Sequence, residues 1–195
     1  MKRVKSARVY VTALGSYRLF LNGRRVGNDV LTPEFTDYAK RVIYQTYDVT
    51  TLLTNGRNAL GAMLGDGWFL SGLVEYGNRQ MFLAAPTRLL AQLRVEYADG
   101  SASVVGTDET WKTAASPILH SEIYDGETYD ARLEQPGWDK AGFNESAWAP
   151  VLLPGAPSAI LAAQMTTPAR VLHTLKPENV KALPGGGFVF DMGQN

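Results

Sequence analysis

No stretch of this chain sustains a helical apolar period over about 12 residues, and that limits the fold before anything else does. In its place stand short runs that alternate apolar and polar side chains, closed by Asn-Gly and Asp-Gly pairs. Those dipeptides suit the left-handed backbone of two-residue hairpin loops. Arg88–Tyr97 is the longest run: Leu89, Ala91, Leu93, Val95 and Tyr97 point one way, and Gln92, Arg94 and Glu96 the other. Asp99-Gly100 turns it into Ser101–Thr107, and Asn22-Gly23 turns Tyr17–Leu21 into Arg24-Arg25-Val26. Ala7–Thr12 and Val42–Tyr47 alternate as well. Asp48 or Thr50 caps a short turn at Thr51-Leu52-Leu53, and Asn55-Gly56 reverses the chain. Trp111-Lys112-Thr113 and Ile118-Leu119 are shorter strands. Many short strands joined by tight turns specify an all-β sandwich.

The remaining chain is organised around Asn58–Gly72. Ala59–Leu64 is apolar at both parities, which predicts a strand buried on both faces or at the sandwich centre. Gly65-Asp66-Gly67 ends it, and Trp68-Phe69 follow. Glycines admit close backbone approach, a carboxylate accepts hydroxyl hydrogen bonds, and an indole offers a flat apolar face. These are the ingredients of a sugar site; the competing reading is a strand-end turn with both aromatics in the core.

Charge excludes some functions. Nineteen Lys and Arg balance nineteen Asp and Glu, so nothing favours nucleic acid or an anionic membrane. Residues 1–41 hold nine bases against three acids and residues 120–148 seven acids against two bases, read here as solvated faces. Zero cysteines remove disulfides and thiolate chemistry. Met1-Lys2-Arg3 is followed by no apolar signal region, and there is no membrane span. Bacterial cytoplasm and export within a longer precursor both stay open.

Catalytic candidates are few. His120 and His173 are the only histidines and lack metal-ligand spacing, and Gly185-Gly186-Gly187 has no Lys-Ser/Thr or helix after it to cradle phosphate. Ser121–Leu133 gathers Glu122, Asp125, Glu127 and Asp130 between two tyrosines. Bracing a turn ranks first for these acids, ligand binding second and hydrolysis third. From Val151 the composition changes, and Leu153-Pro154-Gly155-Ala156-Pro157 marks the exit from the sandwich. Strand-like stretches follow at Arg170–Leu175, Asn179–Leu183 and Phe188–Asp191. The last is expected to lack a partner, as in a sequence cut from something longer.

Tyr17–Gly23 and Tyr47-Asp48-Val49-Thr50, with Leu52-Leu53 and Asn58-Ala59-Leu60, resemble the galactose-binding-like jelly roll. Gly65–Phe69, Tyr124–Arg132, and Gly137-Trp138-Asp139 with Ser146-Ala147-Trp148 resemble the N-terminal region of bacterial α-L-rhamnosidases, whose catalytic domain is an (α/α)6 barrel. Phe190–Asn195 is similar to the opening of the next β-domain in those enzymes. The resemblance runs over residues 7–195. It implies a jelly-roll sandwich over 1–153, acting as an accessory or carbohydrate-binding domain, a linker over 154–169, and the start of a second, truncated β-domain over 170–195.

The resemblance also implies a parent enzyme that hydrolyses terminal α-L-rhamnosides with inversion, its acid and base lying on the barrel. No catalytic residue is therefore expected in this chain. Expected partners are a rhamnose-containing carbohydrate and the catalytic domain of the same parent chain. Rhamnose carries three hydroxyls and an apolar methyl group, so a site needs polar partners and a flat wall. Asp66, Glu75 and Asn78 are candidates for the first, Trp68 and Tyr76 for the second. No cofactor is required. In some relatives, however, the matching jelly roll is a calcium-dependent rhamnose-binding module, and Asp37 is the residue to join the set if Ca²⁺ is held. Two alternatives remain: a purely structural inter-domain module, or a carbohydrate-binding domain of another glycosidase.

Overall fold

The computed structural model describes residues 2–70, 86–155 and 158–193. Its strands are β1 (Val4–Leu14), β2 (Ser16–Leu21), β3 (Arg24–Arg25), β4 (Arg41–Asp48), β5 (Leu60–Gly65), β6 (Arg88–Tyr97) and β7 (Ala102–Gly106). After them come β8 (Lys112–Thr113), β9 (Ile118–Glu122), β10 (Gly126–Tyr129), β11 (Ala149–Pro150), β12 (Ile160–Ala163), β13 (Asn179–Ala182) and β14 (Phe188–Asp191). A five-stranded sheet, β12-β4-β1-β6-β7, packs on a three-stranded sheet, β3-β2-β5. The expected all-β sandwich is what the chain forms.

Its core follows from strand periodicity. Ala7, Val9, Val11 and Ala13 of β1 alternate inward and are buried, as are Ala91, Leu93 and Val95 of β6. Register keeps them together: Val9 lies opposite Leu93 and Val11 opposite Ala91. Leu19 and Leu21 of β2 meet them from the other sheet, with Leu60, Ala62 and Leu64 of β5 packed at the margin. Burying each such side chain stabilises the fold by about 1.5–3 kcal/mol. A polar thread crosses this core. Tyr17 Oη donates to Gln45 Oε1 at 2.7 Å, and Tyr47 Oη donates to Asp29 Oδ2 at 3.1 Å. Burial pushes the Tyr47 phenol up to about 12 and the Tyr17 phenol further still.

Both hairpin turns adopt the expected backbone, with φ of 55° at Asn22, 78° at Gly23 and 83° at Gly100. The short turn after β4 is a 3₁₀ helix, Thr50–Leu52. Asp48 Oδ1 accepts the Thr50 N–H at 2.9 Å, while Thr50 Oγ1 accepts the Ala7 N–H of the neighbouring strand β1.

Three expectations change. β5 is half-buried along its whole length rather than fully buried, and among the described residues it hydrogen-bonds only to β2. Its glycines explain this: Trp138 lies over Gly61, and Ser16 and Ser121 crowd Gly65, leaving no room for a full layer of side chains. Within 154–169, β12 runs parallel to β4, Ile160 opposite Arg41, as the edge of the large sheet. Finally, Phe188–Asp191 has a partner, since β14 pairs with β13 from Asn179 opposite Asp191 to Ala182 opposite Phe188.

Candidate functional site

Gly65-Asp66-Gly67 is where β5 leaves the sandwich, and β9 meets it there. The Gly67 N–H donates to the Ser121 carbonyl at 3.0 Å, and the Ser121 N–H donates to Asp66 Oδ2 at 3.1 Å. Gly67 also bridges to Glu122. Only glycine fits at 67, because φ is 53° and a Cβ would sit 2.8 Å from Ser16 Cβ and 2.9 Å from its backbone nitrogen. His120 Nδ1 lies 3.4 Å from the same Asp66 oxygen. Among the described residues both contacts fall on Oδ2.

The hairpin on the far side braces itself. Glu122 is buried, and its Oε2 accepts the N–H groups of Tyr124 at 2.7 Å and Asp125 at 2.6 Å. Asp130 Oδ1 accepts the Arg132 N–H at 3.0 Å and starts the 3₁₀ turn Ala131–Leu133. Bracing is thus the role geometry gives to Glu122 and Asp130, and hydrolysis has no paired acids here.

Trp68 is half-buried, between two aromatic edges. The Phe35 ring stands 6.1 Å away at 65° and the Tyr124 ring 6.5 Å away at 83°. Phe35 is 54% exposed and Tyr124 66%, so three loops present one aromatic wall to solvent. Phe69 is buried in a small cluster with Tyr38 and Val42, and Trp68 packs against that cluster as a partly buried neighbour. Of the two aromatics after Gly67, Phe69 is the core residue and Trp68 the rim.

Asp37 stands apart from Asp66 in its contacts. Its Oδ2 pairs with Lys40 Nζ at 2.9 Å, and its Oδ1 accepts the Ala39 N–H at 3.2 Å. Lys40 holds its carboxyl below the ordinary carboxylate range. Among the described residues no three His, Cys, Asp or Glu side chains gather as a metal site. Ca²⁺ wants six to eight oxygens, and both carboxylate oxygens of Asp37 already have partners. Glu75, Tyr76 and Asn78 lie outside the described residues. Sequence reasoning missed Phe35, Tyr124 and Ser121 as parts of this corner; nothing local signals that residues 33 to 56 positions away meet Trp68 and Asp66.

The chain matches the family model described as the alpha-L-rhamnosidase N-terminal domain over residues 2–173. It is 44% identical over 197 residues to an alpha-L-rhamnosidase of Streptomyces avermitilis, covering all of this chain and 19% of that protein. Identity to an Alteromonas sp. alpha-L-rhamnosidase is 38%, again over all of this chain and 21% of the relative. The chain therefore spans about a fifth of the length of these curated relatives. The crystal structure of the Streptomyces avermitilis enzyme complexed with L-rhamnose superposes over the whole chain, with a TM-score of 0.90 and 19% of that chain covered. The native Aspergillus terreus enzyme superposes with a TM-score of 0.87 at 40% identity, over all of this chain and 22% of the other. With its sandwich, its Gly-Asp-Gly corner and these matches, the chain belongs to the N-terminal domain family of the α-L-rhamnosidases.

Proposed function

We propose that this domain is the non-catalytic N-terminal module of an α-L-rhamnosidase and binds a rhamnose-type sugar at its Asp66–Trp68 corner. The parent enzyme, in this reading, hydrolyses terminal α-L-rhamnosides with acids that lie outside these residues. The observation that supports sugar binding is the aromatic group of half-buried Trp68 with exposed Phe35 and Tyr124, two residues along the chain from Asp66. A sugar ring packs an apolar face on such a wall and donates a hydroxyl to the carboxylate. Glu75, Tyr76 and Asn78 remain candidates for the same site, and Asp37 for a Ca²⁺ beside it.

Calorimetry with L-rhamnose, in Ca²⁺ and after chelation, tests the reading. Trp68→Ala and Tyr124→Ala are expected to weaken binding about ten-fold or more. Binding unchanged in both variants places the site elsewhere, and no binding in any condition leaves bracing as the function. The chain alone is expected to release nothing from aryl rhamnosides, because inversion needs an acid and a base flanking the bond; turnover by the purified chain would overturn that part.

A second reading, bracing of the parent's catalytic domain, has its own observation. Residues 170–195, read as the start of a second β-domain, leave Val180, Phe188, Val189 and Phe190 exposed on β13 and β14. A hairpin so apolar suits packing against further chain of the same parent.

A further inference from the structure

A cavity of about 260 Å³ lies between β5 and residues 112–117, and neither Asp66 nor Trp68 lines it. Four features bear on what it holds. First, among the described residues β5 hydrogen-bonds to β2 on one side only, so the backbone polar groups of Ala62 and Leu64, which alternate away from β2, face the cavity edge.

Second, the aromatic walls are fixed in place. Trp138 and Trp148 stack at 27° with centroids 6.5 Å apart, and Phe20 packs edge-on against Trp138 at 5.3 Å. Gly61 makes that placement possible, since a Cβ there would sit 2.7 Å from Trp138 Cζ3. Third, the polar groups are neutral or neutralised. Gln135 Oε1 accepts the Trp148 Nε1–H at 2.8 Å, while its Nε2 donates to the Ala115 carbonyl at 3.5 Å and has a second proton for a ligand. Lys112 Nζ is paired with Glu145 Oε1 at 3.2 Å, so the cavity shows a ligand no net charge. Fourth, the volume lies just under the roughly 300 Å³ at which pockets for larger ligands begin. One ring fits; an oligosaccharide does not.

We propose that this cavity is a binding site for a single neutral pyranose ring, held by the Trp138–Trp148 wall, the Gln135 amide and the outward backbone groups of Ala62 and Leu64 on β5. It does not rest on the reading of the Asp66–Trp68 corner. A neutral polar ring satisfies unpaired backbone groups and lays its apolar face on indole, which neither an ion nor a pure hydrocarbon does.

The four tryptophan indole N–H signals give a direct readout in ¹H–¹⁵N spectra. L-rhamnose and D-galactose serve as probes, titrated separately. At least one is expected to shift the Trp138 and Trp148 signals along one saturation curve. Trp111, whose Nε1 donates to the Gly106 carbonyl at 3.1 Å, serves as the unmoved reference. Trp68→Ala is expected to leave that curve in place, whereas Ala114→Leu, which fills the cavity, weakens it about ten-fold. Thr113→Val, close in shape and lining the same cavity, covers the case in which Ala114→Leu does not fold, and is expected to weaken the curve too. The proposal is overturned if neither sugar moves the Trp138 and Trp148 signals, or if a folded cavity variant binds as the wild type does. Shifts confined to Trp68 also overturn it, while supporting the other corner.

Discussion

β2 and the β13–β14 hairpin obey the same strand chemistry and meet opposite fates. In β2, Leu19 and Leu21 are each 1% exposed, enclosed by the inner faces of β1 and β6. In the terminal hairpin, Phe188, Val189 and Phe190 are comparably apolar, yet Phe190 is 59% exposed. Both regions have ladder hydrogen bonds and glycine turns. What separates them is a second layer. Two strands alone cannot bury their own side chains, so alternation yields a core only where another sheet lies across it.

That contrast is open to direct attack. Leu19→Ala is expected to cost about 2–5 kcal/mol, read from the shift in urea midpoint at constant slope. A loss below 1 kcal/mol, ~the cost of a surface change, would deny the sandwich its core. Gly27→Ala comes next. Gly27 has φ of 70°, and a Cβ there would lie 2.5 Å from Tyr47 Cε1, forcing the ring off its bond to Asp29. A cost of about 1–3 kcal/mol is expected from strain and lost packing.

Turn glycines sharpen the comparison further. Gly100 and Gly186 both sit at positive φ, 83° and 94°, with nothing within 4 Å of an added Cβ. Valine at either position meets the same backbone strain, roughly 1–2 kcal/mol. Global unfolding is expected to register it at Gly100 and not at Gly186, because only the first turn belongs to the cooperative core. Equal effects in thermal melts would merge the two regions into one unit.

A smaller effect belongs to Asp99 in that same first turn. Its carboxyl is held down to about 2, chiefly by the Ser101 hydroxyl, then by the Ser101 N–H and Lys2. Because the folded value lies below the unfolded one, its contribution is complete above the ordinary carboxylate range. It is lost as pH falls toward 2. Carbon NMR titration should place its midpoint there, and Asp99→Asn should flatten the acid limb of the stability curve slightly. The smallest effect is expected of Phe190→Ala, within about 0.5 kcal/mol in this chain; a larger loss would reveal a burying surface for the hairpin.

The strands were legible because alternation and Asn-Gly or Asp-Gly turns are local. Arg88–Tyr97 coincides with β6, and Ala91, Leu93 and Val95 face inward as their parity requires. Half of the candidate corner was legible for the same reason, since Gly65–Phe69 announces its own turn. Its partners were not. Ser121 meets Asp66 and Phe35 meets Trp68 only because three loops end at one corner of the sandwich, a matter of topology.

β5 marks the boundary between the two kinds of information. Its unbroken apolar run fixes it as a strand, but the burial that run implies is settled by what lies beside it. Trp138 arrives from 77 positions away to cover Gly61, and among the described residues β2 alone pairs with this strand. Local sequence sets backbone conformation and which face each side chain takes, because those depend on a residue and its near neighbours. Burial, open edges and the meeting of distant loops depend on how sheets stack, and only the packed chain decides them.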